Sequence, residues 1–335
     1  MFRQRPASLR RPDPPGARRR RLRAGLVAAA GGAAAMAVLP DRLRLDRRFP
    51  FVDVAAWRPH AAVTAAAGAA VLATGKGSRP AAAVVGTVAL AGISAVARRA
   101  IAAPAPAPGP GDLTILSANV LKGRADTGEL ARLIERETPD VVVLPEAGPD
   151  FRDKLMPLVA DLGYRSWVSA EPGTADLWGV TLLASARAGD LRVRTGYEMR
   201  CHYLQATGGI LGRRDLFAVH AASPLKPRWT PVWRSDLELV AGWCGAPVPP
   251  IVAGDFNATL DHSLLRAGLG GCRSAATGTG RALAGTYPSS LPRWLGIQID
   301  HVLVPADAVT TRFEIVDVAG SDHRAVLARV RLAPA

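Results

Sequence analysis

Cysteine is scarce in this chain and carries no pattern. Its 335 residues include only Cys201, Cys244 and Cys272. There is no CxxC spacing and no even-numbered framework, which excludes a disulfide-stapled scaffold. Ordinary core thiols are expected, with a single bridge left open, and cysteine usage does not set the compartment. Polar groups are almost missing from three stretches of the front third, where only Thr64, Thr74, Thr87 and Ser94 interrupt. No ion or ligand site is expected inside those stretches. Net charge is missing from the rear two-thirds. Residues 112–335 carry 24 Lys/Arg against 24 Asp/Glu, so the formal +14 comes from residues 1–111, with 18 against 4. A neutral rear domain argues against gripping duplex DNA along many phosphates. Hydrophobic residues make up 49% of the chain, ample for a core.

The front third reads as membrane-like. Residues 1–23 hold nine arginines and several prolines and are expected to be a disordered basic tail. Three apolar runs follow, Ala24–Leu39, Ala61–Thr74 and Ala81–Ala97, the last stopped by Arg98 and Arg99. A bilayer core about 30 Å thick takes about 20 helical residues, so each run is short for a span. Their uncharged length and arginine borders predict about three transmembrane helices over residues 24–99. The basic tail and the second loop together carry more positive charge than the other side. This predicts a cytoplasmic N-terminus, a multi-pass membrane protein and a rear domain outside the cytoplasm. If the second run does not span, the parity flips. Residues 100–111, rich in proline and alanine, read as a semi-rigid linker.

The rear domain, residues 112–335, alternates β-favouring and helical patterns. Strands are predicted at Leu113–Leu116, Val141–Leu144, Val180–Leu183, Leu216–Val219, Ile251–Ala253, Val302–Val304 and Ala325–Val330. Helices are predicted at Gly128–Glu137, Phe151–Leu162 with Pro157 inside, and Trp233–Trp243. The result is a mixed α/β domain with two layers of sheet. Five short polar patterns end these apolar runs: Leu116-Ser-Ala-Asn119, Val143-Leu-Pro-Glu146, Val252-Ala-Gly-Asp255-Phe-Asn257, Ile299-Asp300-His301 and Ser321-Asp322-His323. Oxygen ligands and histidines delivered at strand ends suit a divalent-metal site acting on phosphate esters. On an extended backbone Asp255 and Asn257 would point the same way, with Phe256 packing inward. His301 would face away from Asp300 and is read as structural.

These motifs, GDFN and SDH with an upstream Asn and Glu in this order, resemble the endonuclease/exonuclease/phosphatase superfamily over Leu113–Leu332. The resemblance implies a four-layer α/β sandwich with two central mixed sheets. It implies Glu146 as the principal Mg²⁺ ligand, with Mn²⁺ able to substitute, and Asn119 and Asp322 as helpers at the metal. Pro145 stands where the family commonly has Gln. It implies that Asp255 orients or deprotonates the attacking water and that Asn257 contacts a phosphate oxygen. Asp300 would hold His323, which would bind the scissile phosphate or act as base. His220 would be a further catalytic histidine with Asp176 as its partner, and Arg187 would reach phosphate.

The expected activity is metal-dependent hydrolysis of a phosphoester (lipid, small molecule or nucleic acid) by a membrane-tethered enzyme, with no protein partner inferred. The alternative is a catalytically inactive binding module of the same fold. Loops 187–215 and 263–298 are expected to carry substrate choice. Trp229, Trp233 and Trp294 are placed near lipid or bases, with core packing expected for at least two of them.

Overall fold

The structure is a computed structural model and describes residues 16–333. Most of the expected basic tail therefore lies outside the described residues. Residues 17–23 are helical, which corrects the reading of that part as disordered: the arginines form the first turns of a longer apolar helix. The helices of the front part are α1 (Ala17–Val38), α2 (Phe51–Ala56), α3 (Arg58–Thr74) and α4 (Arg79–Ala97). The chain of the rear part runs β1 (Leu113–Ser117), α5 (Thr127–Glu137), β2 (Val141–Pro145), α6 (Pro149–Val159), β3 (Arg165–Val168), β4 (Val180–Ala184), β5 (Leu191–Gly196), β6 (Tyr203–Gly208) and β7 (Asp215–His220). It continues with α7 (Thr230–Cys244), β8 (Ile251–Asp255), α8 (Ser263–Gly268), β9 (Cys272–Ser274), β10 (Asp300–Pro305), β11 (Val309–Asp317) and β12 (Arg324–Arg331).

Helices α1, α3 and α4 pack side by side. Small residues let them approach: a Cβ on Gly92 would lie 2.2 Å from Val38 Cγ1 and 3.0 Å from Ala62 Cβ. Among the described residues two helices, Ala17–Val38 and Arg79–Ala100, are long and apolar enough to cross a membrane, not the three expected. The second run falls short because α3 has only 17 residues and opens with Arg58, Pro59 and His60. At about 1.5 Å per residue it is roughly 25 Å long.

The rear domain is a four-layer α/β sandwich with two mixed six-stranded sheets at its centre. One sheet has the order β11-β12-β1-β2-β4-β3, the other β5-β6-β7-β8-β10-β9. Each contains a single parallel pair, β1 with β2 and β7 with β8; every other pairing is antiparallel. The largest core fills the space between the sheets, with Ile115, Val141, Leu216, Ile251 and Val326 among its members. A second joins the first sheet to α5 and α6, and a third joins the other sheet to α7 and α8. The central strands read as unbroken apolar runs because they are buried on both faces.

Local chemistry sets the ends. Asp126 caps α5 by accepting from the Glu129 N–H at 2.9 Å, and Thr138, at φ 43° before Pro139, closes it. Pro157 ends α6 two residues later, and a short 3-10 turn completes the run to Leu162. Cys244 and Cys272 form a disulfide between the end of α7 and β9, so the expectation of plain core thiols holds only for Cys201, which is buried and free.

Residues 100–111 do not hang free as a spacer. Ala102 bridges to Thr279, and Arg331, Arg329 and Arg187 donate to the carbonyls of Ala107, Gly109 and Pro110. The front part itself is docked on the rear domain through polar groups. Buried Arg58 pairs with Asp41 and, at 3.3 Å, with Asp261. Arg99 grips Asp261 through both guanidinium ends, at 2.9 and 2.5 Å. Arg266 reaches Asp41 at 2.7 Å, Asp46 accepts from the Ser263 N–H, and His262 Nε2 faces the Val52 carbonyl at 2.8 Å.

Candidate active site

The two parallel pairs bring their carboxyl ends to one edge of the sandwich. Asn119 follows β1, Glu146 follows β2, and His220 and Asp255 end β7 and β8. Carboxyl ends of parallel strands are where open sheets present ligand-binding groups. The antiparallel strands contribute at their start. Asp300 opens β10 in register opposite Asp255, and His323 immediately precedes β12, which pairs with β1.

Backbone strain concentrates here. Glu146 and Asn257 sit at φ 59° and 46°, a region side-chain-bearing residues seldom occupy. Gly254, at φ 145°, is forced by crowding: a Cβ would lie 1.9 Å from the Val219 carbonyl oxygen. The turn departs from the extended backbone expected for Asp255-Phe-Asn257. The Asn257 N–H donates to Asp255 Oδ1 at 2.8 Å, closing an Asx-type turn. Phe256 still packs into the core as expected.

Asn119 is buried and bridges the two carboxylates. Its NH₂ group donates to Asp255 Oδ2 at 3.0 Å and Glu146 Oε1 at 3.3 Å, while its oxygen accepts from the Leu121 N–H. Glu146 Oε2 accepts from the Lys122 N–H at 2.8 Å. His220 Nε2 lies 3.8 Å from Glu146 and 3.9 Å from Asp255. His323 Nδ1 meets Asp300 Oδ2 at 2.9 Å, and its Nε2 lies 3.9 Å from both Asp255 and Asp322. Asn257 donates to the Ala221 carbonyl at 3.0 Å. Eight of the residues singled out from sequence thus converge: six line a single cleft of about 420 Å³, and buried Asn119 and Asp300 hold them from behind.

Two others do not. Arg187 follows β4, whose end pairs with the start of β2, so it lies at the far end of the sheet. There it forms a two-pronged pair with Asp140, both contacts 2.6 Å. Asp176 does not meet His220: its Oδ1 accepts from the Gly148 and Phe151 N–H groups and caps the start of α6. His301 points away from the cleft, its Nε2 facing the Ala258 carbonyl at 2.8 Å; burial pushes its pKa down to about 4.

The electrostatics divide the site. Burial, then the charge of Asp300, raises the pKa of Asp255 against the hydrogen bonds that Asn257 and Asn119 donate. Burial lowers His220, which favours its neutral form. Burial opposes the charge on His323, but Asp300, Asp255 and Asp322 outweigh it and raise the pKa to about 10. His323 is therefore an imidazolium near neutral pH.

The donor set fits a hard cation. Glu146, Asp255 and Asp322 line one cleft with Asp300 buried behind His323, and among the described residues none of the four pairs with a lysine or arginine. Asp322 Oδ1 and Asp300 Oδ1 are buried without a hydrogen-bond partner. Ligand atoms of Asp255, Asp300 and His323 lie within 4.8 Å of one another. That trio is the poorer cage, because a protonated His323 already bound to Asp300 has no lone pair to offer. Glu146 and Asp322 line the same cleft and neither meets a lysine or arginine, so their oxygens could serve a hard cation.

Sequence reasoning missed the cleft walls. Helix α2 and its flank, through Val52, Asp53, Ala56 and Trp57, form one wall. Arg200 stands at the rim between two indoles, 3.7 Å from the Trp229 ring centre and 4.5 Å from that of Trp178. Tyr287 packs against His323 with ring centres 4.9 Å apart. The loop 187–215 signalled Arg200 only by position, and nothing marked α2. Of the three tryptophans weighed, Trp233 alone is core; Trp229 holds Arg200 and Trp294 is exposed.

The class these features define is a four-layer α/β sandwich with carboxylates and histidines gathered at one edge of its two sheets. The model of the Endonuclease/Exonuclease/phosphatase family matches residues 116–323, and the chain belongs to that family. Solved structures agree on the fold. An endonuclease/exonuclease/phosphatase from Beutenbergia cavernae DSM 12333 is 21% identical with a TM-score of 0.50, covering 66% of this chain and 72% of its own. A humanized D. rerio TDP2 is 17% identical with a TM-score of 0.52, over 66% of this chain and all of its own. A family protein from Bacteroides thetaiotaomicron is 15% identical with a TM-score of 0.50, over 67% and 98%. No curated protein matches the chain by sequence.

Proposed function

We propose that this protein is a membrane-tethered, divalent-metal-dependent hydrolase of phosphate esters. The observation that carries the reading is the group of four carboxylates around one protonated histidine, gathered from four strand ends. Glu146 and Asp322 would hold Mg²⁺ or Mn²⁺, and Asn119 would keep Glu146 and Asp255 in place. A bound cation would neutralise phosphate charge and stabilise the leaving oxygen. Asp255, its pKa raised, would orient a water and accept its proton. The imidazolium of His323, held by Asp300, would place its Nε2 proton on a phosphate oxygen and stabilise the charge that grows there. Neutral His220 and Asn257 would fix further oxygens. Arg200 at the rim would draw an anionic group toward the cleft.

The tether reading rests on the two apolar helices and on their direction. Helices α1 and α4 both end at the joint with the rear domain, and α3 runs back between them. Because α1 and α4 run the same way, α3 would have to cross with them despite its 17 residues, and such a bundle would leave the N-terminus on the opposite side from the cleft. The basic first turns of α1 favour the cytoplasm for that end. The Cys244–Cys272 disulfide favours an oxidising compartment for the rear domain.

The test is turnover of bis-p-nitrophenyl phosphate by the full chain with Mg²⁺ or Mn²⁺, beside the Glu146→Gln variant and a chelated sample. Metal-dependent turnover lost in the variant is expected. Equal rates in the two proteins, or none with either metal, would overturn the reading. A panel of DNA, RNA, phospholipid and inositol phosphates then sets the substrate.

A further inference from the structure

A second cavity, of about 430 Å³, lies beside the catalytic cleft and shares Ala56 and Ile297 with its wall. It sits between the first turn of α3 and the loop 282–298. Val63, Leu260, Leu283 and Leu295 make its lining largely apolar. Into this lining come three residues with a polar atom that is buried and lacks a partner: His301 Nδ1, Gln298 Oε1 and His60 Nδ1. His301 and Gln298 are themselves more than nine-tenths buried.

The three orphans are of one kind. His301 Nε2 faces the Ala258 carbonyl and His60 Nε2 faces the Trp294 carbonyl, so each Nε2 carries the proton and each Nδ1 accepts. Gln298 spends its NH₂ on the carbonyls of Arg281 and Ala284, which leaves its oxygen. An occupant must therefore bring hydrogen-bond donors and an apolar body. The adjoining ion network holds three arginines, Arg58, Arg99 and Arg266, against Asp41 and Asp261, and so favours an anionic group over an ammonium. The mouth is framed by Val63 on α3 and by Trp294, which is 73% exposed. Tryptophan at such a position suits a membrane–water boundary.

We infer that this cavity binds a membrane phospholipid with an anionic, hydroxyl-bearing head of the phosphatidylglycerol type. The glycerol hydroxyls donate to His60, Gln298 and His301, and an acyl chain leaves past Val63 along α3. The inference rests on the membrane tether proposed above. It sets a lipid one side chain away from the catalytic cleft.

The experiment uses the full chain in detergent with equal amounts of phosphatidylglycerol, phosphatidic acid and phosphatidylcholine, retained lipid being counted by native mass spectrometry. Phosphatidylglycerol is expected to exceed phosphatidylcholine by tenfold or more, and phosphatidic acid, which lacks the glycerol hydroxyls, by at least threefold. His60→Leu with Gln298→Leu should bring the three lipids to near parity. Val63→Trp, which narrows the mouth from an exposed helix face and leaves the acceptors alone, should lower phosphatidylglycerol retention severalfold even if the double variant does not fold. Equal retention of all three lipids by the unmodified protein, or none, means water alone fills the cavity and overturns the inference. A preference that survives both variants overturns it too. Flotation of the same protein with vesicles reads the tether separately. Flotation without lipid preference removes the cavity site alone, whereas failure to float removes both.

Discussion

The front bundle and the rear sandwich solve the burial problem in opposite ways. The sandwich hides its leucines, valines and isoleucines between layers and ends with zero net charge. The bundle packs through glycine and alanine and leaves Leu26, Val71 and Leu90 about two-thirds or more exposed. Small residues inward and large apolar residues outward is the arrangement of helices whose surroundings are themselves apolar. Water-facing helices of comparable length carry a polar face. The two regions share one apolar contact, Val52 of α2 buried in the third core, and otherwise meet through charge. Their joint is a network of Asp41, Arg58, Arg99 and Asp261, reached from the surface by Arg266 and backed by His262. Hydrophobic contact is non-directional, whereas paired charges fix register, and that joint places α2 as a wall of the cleft.

The contrast can be tested at its extremes. The largest effect belongs to the sandwich: Glu146→Gln and Asp255→Asn should each lower kcat by on the order of 10²–10³-fold. Thermal melting should stay within a few degrees, and an equal fall in melting temperature would recast these residues as structural. At the joint, Asp261→Asn leaves buried Arg58 and half-buried Arg99 short of a carboxylate and should cost about 3 kcal/mol of docking. Faster proteolysis of residues 101–111 and faster amide exchange in α2 are the expected readouts. Unchanged exchange in α2 would mean that the network does not hold the wall.

Acid should loosen the same joint. Burial lowers the pKa of His262, so the docked state binds fewer protons than the released one, in which an unperturbed histidine titrates near about 6.5. Docking is therefore fully present above that pH and weakens as pH falls through and below it. Exchange in α2 measured at pH 7.5 and 5.5 should differ in the native chain and differ less in His262→Gln. The smallest effect is at the rim. Arg200→Ala should raise KM by roughly three- to tenfold with kcat nearly unchanged, matching about 1 kcal/mol for a partly exposed cation. A fall in kcat instead would place Arg200 in the chemistry.

What could be read from the chain depended on burial. Central strands β1, β2, β4, β7, β8, β10 and β12 announced themselves as apolar runs, since both faces are covered. The strands missed were β3, β5, β9 and β11, which are the four sheet edges, and β6 beside one of them. Edge strands such as Leu191-Arg-Val-Arg-Thr-Gly196 carry charge on their open side and look like loops. Site residues followed the same logic. Those at the ends of buried strands came together, because the sheets fix strand ends in space. Arg187 and Asp176 lie on 3-10 turns, where a one-residue difference redirects the side chain, and both serve the scaffold instead.

The order of the apolar runs and polar patterns by itself determined the family, the two-sheet sandwich and the chemical kind of the cleft, because strand periodicity and oxygen-bearing side chains are local properties. Only the tertiary structure decided that Cys244 meets Cys272, that Asp176 caps α6 and leaves His220 alone, and that Val52, Asp53, Ala56 and Trp57 close one of the cleft's walls. Those outcomes depend on pairs far apart in the chain whose approach is set by packing of whole layers, and no local pattern encodes such a distance.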